Sequence, residues 1–83
     1  VPASARRSLN SEQYATALDD IAAKLASSLP GERVVRGAEG EVAVRGVTVR
    51  PFSVDRCLFV CWPDEDKELG MRIHTICCEN YPE

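Results

Sequence analysis

Apolar residues recur at helical spacing in the first third of the chain. Between residues 14 and 29 they are separated by three or four positions, which is typical of one face of an α-helix. The stripe consists of Tyr14, Leu18, Ile21, Leu25 and Leu29, with Ala15 and Ala22 beside it. Asn10 followed by Gln13 has the pattern of a capping box, and Pro30 followed by Gly31 is typical of a helix end. The sequence therefore predicts a helix that begins after Asn10 and packs on a sheet.

Beyond the helix, β-branched residues and alternation of apolar and polar positions predict strands. Four segments carry this pattern, residues 33–36, 41–50, 56–62 and 71–78. The alternation shifts by one position at Gly46, which predicts a bent strand with a bulge there. Residues 64–70 are expected to form a charged loop. The predicted fold is α+β, with one N-terminal helix packed across a four-stranded antiparallel β-meander.

Residues 56–62 form the only run in which both alternating faces of an extended segment are apolar. In a strand, Leu58, Val60 and Trp62 point to one side of the sheet, and the cysteines and Phe59 point to the other. Such a strand needs cover on both sides, so we predict that it is the innermost one. The helix covers one side. The N-terminal arm, another loop, a partner chain or a ligand covers the other.

Length and charge limit the classes of function. The chain has 83 residues, which fits a single α+β domain over residues 10–83 preceded by a flexible basic arm over residues 1–9. The net charge of -3 argues against general binding to nucleic acid or anionic membrane. No apolar run approaches the roughly 20 residues that cross a bilayer. Eight arginines against two lysines indicate a GC-rich genome, such as a bacterial or phage one.

The cysteines and the single histidine are the candidates for metal or thiol chemistry. Cys57 and Cys61 are about 13 Å apart in one strand, too far to share a zinc ion. In a hairpin of the last two strands, Cys57 lies near Cys77 or Cys78, which permits one disulfide but leaves Cys61 without a partner. Reduced thiols, and with them a cytoplasmic location, are therefore favoured. His74 shares a predicted face with Cys61, but no carboxylate orients it, so we expect neither an enzyme nor a cofactor.

Two groups of charged residues are candidate contacts for a partner. Acidic residues follow an aromatic residue after the central strand, and arginines occur on the predicted strands. The predicted contact residues are Trp62, Asp64, Glu65, Asp66, Arg45, Arg50 and Arg72. Aromatic anchors are common where interfaces concentrate their binding energy.

The small size, the absence of a catalytic motif and the doubly apolar strand favour a non-enzymatic protein-interaction module. Such a module acts as an inhibitor, an immunity or anti-defence factor, or an accessory subunit, and its partner is another protein or a second copy in a homodimer. The alternative is a single-stranded nucleic-acid-binding module that uses an arginine-bearing sheet face with Phe52 or Phe59. A second alternative is a thiol or zinc protein.

Overall fold

A five-stranded antiparallel sheet with both helices on one face forms the fold of the computed structural model, which describes residues 3–82. In chain order the elements are β1 (Ala3–Ser8), α1 (Ser11–Ser28), β2 (Val34–Arg36), β3 (Val42–Val44), β4 (Val47–Phe52), β5 (Cys57–Trp62), a 3-10 helix (Asp64–Asp66) and α2 (Lys67–Asn80). The strands lie in the order β1-β5-β4-β3-β2. The α+β class and the antiparallel sheet are confirmed. The prediction of one helix and four strands differs in detail, since there are two helices and five strands.

Helix α1 begins and ends where the sequence predicts. The Asn10 side chain accepts a hydrogen bond from the Gln13 N–H at 2.8 Å, and the Gln13 side chain accepts one from the Asn10 N–H at 3.0 Å. This capping box satisfies two of the amide groups that the first turn leaves without helical partners. At the other end, Gly31 has a φ of 90°, which a residue with a Cβ adopts only at a cost.

The buried face of α1 agrees with most of the predicted stripe. Ile21, Leu25 and Leu29 are buried, while Tyr14, Leu18 and Ala22 pack against the core from its margin. Ala17, and not Ala15, completes the buried face; Ala15 is exposed. The centre of the buried face is therefore the row Ala17, Ile21 and Leu25, and Tyr14 and Leu18 lie at its margin.

A hairpin, and not a bulge, accounts for the shift of alternation at Gly46. Val44 lies opposite Val47, and Val42 lies opposite Val49, with Arg45 and Gly46 between the two strands. Directly opposed residues of an antiparallel pair share one face, so all four valines point into the core. Arg45 takes a positive φ of 50° in this turn. The predicted bent strand over residues 41–50 is therefore two strands, and β4 continues through Pro51 to Phe52.

The predicted last strand, residues 71–78, is part of helix α2. Leu69, Ile73, Ile76 and Cys77 are buried, and their spacing of four, three and one residues matches one face of a helix. Met71 is exposed, so its alternation with the buried positions is fortuitous. The predicted charged loop over residues 64–70 is likewise a 3-10 turn that leads into α2.

The N-terminal segment forms an edge strand where the sequence favours a flexible arm over residues 1–9. Ala3–Ser8 pairs with β5, and Leu9 donates its N–H to the Arg56 carbonyl at 2.9 Å. Residues 1 and 2 lie outside the described part. Pairing with β1 protects an edge of the apolar strand β5 that would otherwise be unpaired. Strand β5 thus lies second from the edge of the sheet, which corrects the prediction that it is innermost.

The core lies between the sheet and the two helices. Leu58, Val60 and Trp62 of β5 join the four valines of β3 and β4 and the buried residues of both helices in one cluster. Both helices therefore cover the same side of the sheet. Neither helix of residues 3–82 is both long and apolar enough to cross a membrane.

Candidate functional site

The sheet face turned away from the helices is the candidate site, and we call it the open face. Its residues alternate with the core positions along each strand. They are Ser4, Arg6 and Ser8 of β1, Cys57, Phe59 and Cys61 of β5, Thr48, Arg50 and Phe52 of β4, Ala43 of β3 and Val35 of β2. None of these residues belongs to the core cluster. Val35 and Phe52 are each 45% exposed, so large apolar side chains on this face contact solvent.

An aromatic pair lies on the open face, with Phe59 within β5 and Phe52 at the end of β4. The rings of Phe52 and Phe59 have centroids 5.5 Å apart and are tilted by 59°. The Arg6 guanidinium lies over the Phe59 ring, 5.4 Å from its centroid, in a cation–π contact. Val54, in the turn between β4 and β5, is 87% exposed. The face therefore combines apolar surface with guanidinium groups.

Two arginines flank Phe59 across the sheet. Arg6 of β1 and Arg50 of β4 are both directly opposite Phe59 in the strand register. Arg6 forms an ion pair with Asp55, and Arg50 lies 3.9 Å from a carboxylate oxygen of Glu39. Both arginine side chains are about half exposed, so water screens these pairs strongly.

Cys57 lies at one end of the open face in a polar environment. Its Sγ is 3.3 Å from the Ser8 hydroxyl and accepts a hydrogen bond from the Arg6 Nε at 3.1 Å. The hydrogen bond with Ser8 lowers the pKa of the Cys57 thiol; burial opposes this, and Arg6 adds to the lowering. The side chain is nevertheless fully buried, so the thiol is not presented to a substrate. Its contacts hold Arg6 and Ser8 of β1 against β5.

The predicted contact residue Trp62 is buried. Only 5% of its surface is exposed, and its ring lies against Gly70 of α2. It therefore stabilises the packing of α2 on β5 and does not project beside the exposed residues Asp64 and Glu65. Alternation along β5 places Trp62 on the same face as Leu58 and Val60, and this is the face that the helices cover.

Several of the other predicted contact residues meet in a groove on the helix side, whereas Arg50 lies on the open face. The groove has a volume of about 400 Å³ and includes Arg45, Glu65, Asp66 and Arg72 in its lining. Arg45 donates to both carboxylate oxygens of Glu32 at 2.9 and 3.1 Å and lies 3.9 Å from Asp66. The arginine thus connects the hairpin to neighbouring elements, and its charge is matched within the groove.

The structure does not bring the predicted thiol and metal candidates together. Cys61 lies on the open face, whereas His74, Cys77 and Cys78 lie on α2, where the Cys78 Sγ is 3.6 Å from the His74 Nε2. All four cysteines are free. No group of three or more potential metal ligands occurs within residues 3–82. Burial raises the pKa of the Cys77 thiol to about 12, so it stays protonated at neutral pH.

Sequence reasoning missed Arg6 because the strand that carries it was not predicted. Phe52 and Phe59 were considered as base-stacking residues, and the structure places them side by side. Phe52 pairs with Cys57 across the turn at residues 53–56, so the two lie on the same face of the sheet. Phe59 lies two positions beyond Cys57 and therefore shares that face. Comparison of the chain with models of protein families and with curated proteins found no match.

Proposed function

We propose that this chain is a non-enzymatic protein-interaction module that docks a partner protein on its open face. One observation carries the proposal: both helices cover the same side of the sheet, and on the other side Phe52 and Val35 are each 45% exposed while Phe59 and Cys61 are partly exposed. A strand with two apolar faces is stabilised fully only when both are covered. The second cover for β5 is then supplied by another molecule.

The composition of the open face supports this proposal. Protein interfaces are enriched in aromatic residues and arginine, and these residues dominate their binding energy. Phe52, Phe59, Arg6 and Arg50 occupy neighbouring positions here. An inhibitor, an immunity or anti-defence factor and an accessory subunit all act by occupying a partner's surface in this way.

Site-specific photo-crosslinking in the source organism tests the proposal. Benzoylphenylalanine replaces Phe52 on the open face or, as the matched control, Met71, which is an exposed apolar residue on α2. We expect a discrete adduct with one protein from position 52, with little or none from position 71. The purified adduct partner should bind the unmodified chain and bind a Phe52→Ser variant at least tenfold more weakly. Equal yields from both positions, or no adduct from either, would contradict the proposal.

Single-stranded nucleic acid is the second candidate partner, because two aromatic rings and two arginines share the open face. Sheet faces of this kind bind single-stranded nucleic acid by stacking its bases on aromatic side chains and pairing its phosphates with cationic side chains. A labelled uridine oligomer in about 50 mM salt tests it by fluorescence anisotropy. Salt-dependent binding that Phe59→Ala abolishes would support this candidate, and an unchanged anisotropy would remove it.

A further inference from the structure

The row Arg6, Phe59 and Arg50 places one guanidinium on each side of an aromatic ring. The three residues are directly opposed across β1, β5 and β4, so they lie side by side on the open face. Directly opposed residues in antiparallel strands have Cα atoms about 4.5 to 5.5 Å apart. Phe52 extends the apolar part of this row towards the turn at residues 53–56. The centre of the face is thus apolar with positive charge on both flanks.

The carboxylates that neutralise these arginines lie at the rim. Asp55 belongs to the turn before β5, and Glu39 belongs to the turn between β2 and β3. The Glu39 carboxylate is 83% exposed and 3.9 Å from Arg50, which is a weak surface pair. Arg50 can therefore exchange this carboxylate for one from a partner with little loss. A planar guanidinium binds a carboxylate through two parallel hydrogen bonds, which makes this exchange specific.

A second copy of the chain fits the open face poorly. A two-fold dimer on this face would bring two Arg6 and two Arg50 side chains into one interface, and like charges that face each other across an interface oppose association. The face is also small. Three of its strands have six residues and two have three. From strand length and spacing it covers about 400 Å², or about 800 Å² for both partners together, which is below the size of a typical stable dimer interface.

A nucleic-acid strand also fits less well than an acidic peptide. The Arg6 guanidinium already lies over the Phe59 ring, where a stacked base would have to lie. The Phe52 ring is tilted by 59° to Phe59, so the two rings form no common stacking surface. The net charge of -3 further opposes a polyanion, whereas a short peptide with few carboxylates requires only the two local arginines.

We infer that the partner segment recognised by the open face is an acidic peptide in which carboxylates flank a bulky apolar side chain. The apolar side chain packs on the exposed Phe52 ring, and one carboxylate binds Arg50 in place of Glu39. The other carboxylate approaches the half-exposed side chain of Arg6, which stays over the Phe59 ring. This inference rests on the proposed docking function and specifies the chemistry of the partner.

Synthetic peptides test the inference with the full chain. The probe is a fluorescein-labelled 12-residue peptide with a central tryptophan between two pairs of glutamates in a glycine-serine background. Its control peptide has glutamine at the four glutamate positions. We expect the acidic peptide to bind at least tenfold more tightly than the control by fluorescence anisotropy. When the acidic peptide is added, the amide chemical shifts of the protein should change mainly in β1, β4 and β5.

Two charge reversals provide the matched protein variants. Arg50→Glu on the open face should weaken binding of the acidic peptide at least tenfold, whereas Lys24→Glu, which reverses an exposed charge on α1, should change it less than twofold. Circular dichroism melting checks that both variants fold. Arg50→Lys should retain part of the affinity, because it keeps the charge but loses the paired hydrogen bonds.

Three results would overturn the inference. They are equal affinity for the acidic and glutamine peptides, tighter binding of a uridine oligomer that Arg50→Glu abolishes, and a dimer by sedimentation that Phe52→Ser dissociates. The crosslink from position 52 distinguishes the failures. An adduct on a segment without carboxylates contradicts the peptide chemistry and leaves the docking function intact, whereas the absence of an adduct contradicts both.

Discussion

At the scale of single residues, close packing and buried titratable groups determine how the helices attach to the sheet. The Trp62 ring lies so close to Gly70 that a Cβ at residue 70 would overlap it. Cys77 and Tyr81 are buried at the C-terminal end of α2, where the Tyr81 hydroxyl donates to the Ala17 carbonyl of α1 at 3.4 Å. Substitutions at these positions therefore report on the attachment of α2.

Gly70→Ala should destabilise the protein although alanine is the better helix former. The helix propensity of alanine adds about 1 kcal/mol relative to glycine, but overpacking against a rigid indole costs about 1 to 3 kcal/mol. We expect a net loss in the free energy of unfolding, measured by urea denaturation. Trp62→Leu in the same chain should remove the clash, so the double variant should be more stable than the sum of the single effects predicts. Strict additivity would show that Gly70 and Trp62 are not in contact.

The protein should lose stability as the pH rises from about 9 to about 12. Burial raises the pKa of Cys77 from 9.0 to about 12. Burial, together with the nearby Asp20 carboxylate, raises the pKa of Tyr81 from 10.0 to about 12. In this range the native state binds more protons than the unfolded state, so the free energy of unfolding falls with pH.

Variants identify the groups responsible for this loss at high pH. Cys77→Ala should make the fall in stability shallower by at most about 1.4 kcal/mol per pH unit, in urea denaturation across this range. Tyr81→Phe should make it shallower as well. Ile73→Val is the control, because it weakens the same core without removing a titrating group. If Cys77→Ala retains the slope of the unmodified protein, Cys77 is not buried as described.

At the scale of elements, the sequence predicts the helices and strands that are defined by residues close together in the chain. Helix α1 has its periodicity and its cap within a few residues, and both were confirmed. Helix α2 was missed because Ile73, Thr75 and Cys77 favour strands by propensity, while its helical face is defined by contact with β5. Strand β1 has almost no apolar pattern, and its place depends on pairing with the distant strand β5.

The candidate site was predictable only in part for the same reason. Alternation in β5 separates its two faces from sequence alone, but which face the helices cover depends on the whole fold. Trp62 was therefore expected at the surface and is buried, whereas Phe52 and Phe59 lie on the side left open. Arg6 reaches Phe59 only because β1 forms.

Proline substitutions test whether residues 3–8 form a strand. In an edge strand, successive N–H groups alternate between the neighbouring strand and solvent. Ser4→Pro and Ala5→Pro should therefore differ by about 1 to 3 kcal/mol in the free energy of unfolding, because only one of them removes a hydrogen bond to β5. Thermal melting compares the two. Small and equal effects would instead indicate a flexible arm.

The two faces of the sheet should respond differently to truncation. Leu58→Ala creates a cavity in the core and should cost about 2 to 5 kcal/mol. Phe52→Ala removes a half-exposed ring on the open face and should cost about 1 kcal/mol, near the value of an aromatic pair. Urea denaturation measures both. A loss at Phe52 as large as that at Leu58 would indicate that the open face is buried by the chain itself.

At the scale of the whole molecule, the layers explain why a chain without a predicted catalytic site retains an apolar sheet face. Both helices pack on one side, so the other side holds the aromatic pair and its flanking arginines in contact with solvent. The core between the sheet and the helices is thus well buried, whereas large apolar side chains on the open face are partly exposed. On the proposed function, binding of a partner covers the second face of β5.

The accessibility of the thiols in the native protein shows whether one face of the sheet is open. The native protein, kept dilute and shown by sedimentation to be monomeric, is alkylated with iodoacetamide and mapped by peptide mass. We expect Cys61 on the open face to react at least tenfold faster than Cys77 in the core, and Cys57 and Cys77 to react fully only after unfolding. A Cys61 as protected as Cys77 in the monomer would show that the chain covers its own sheet, and would contradict an open face.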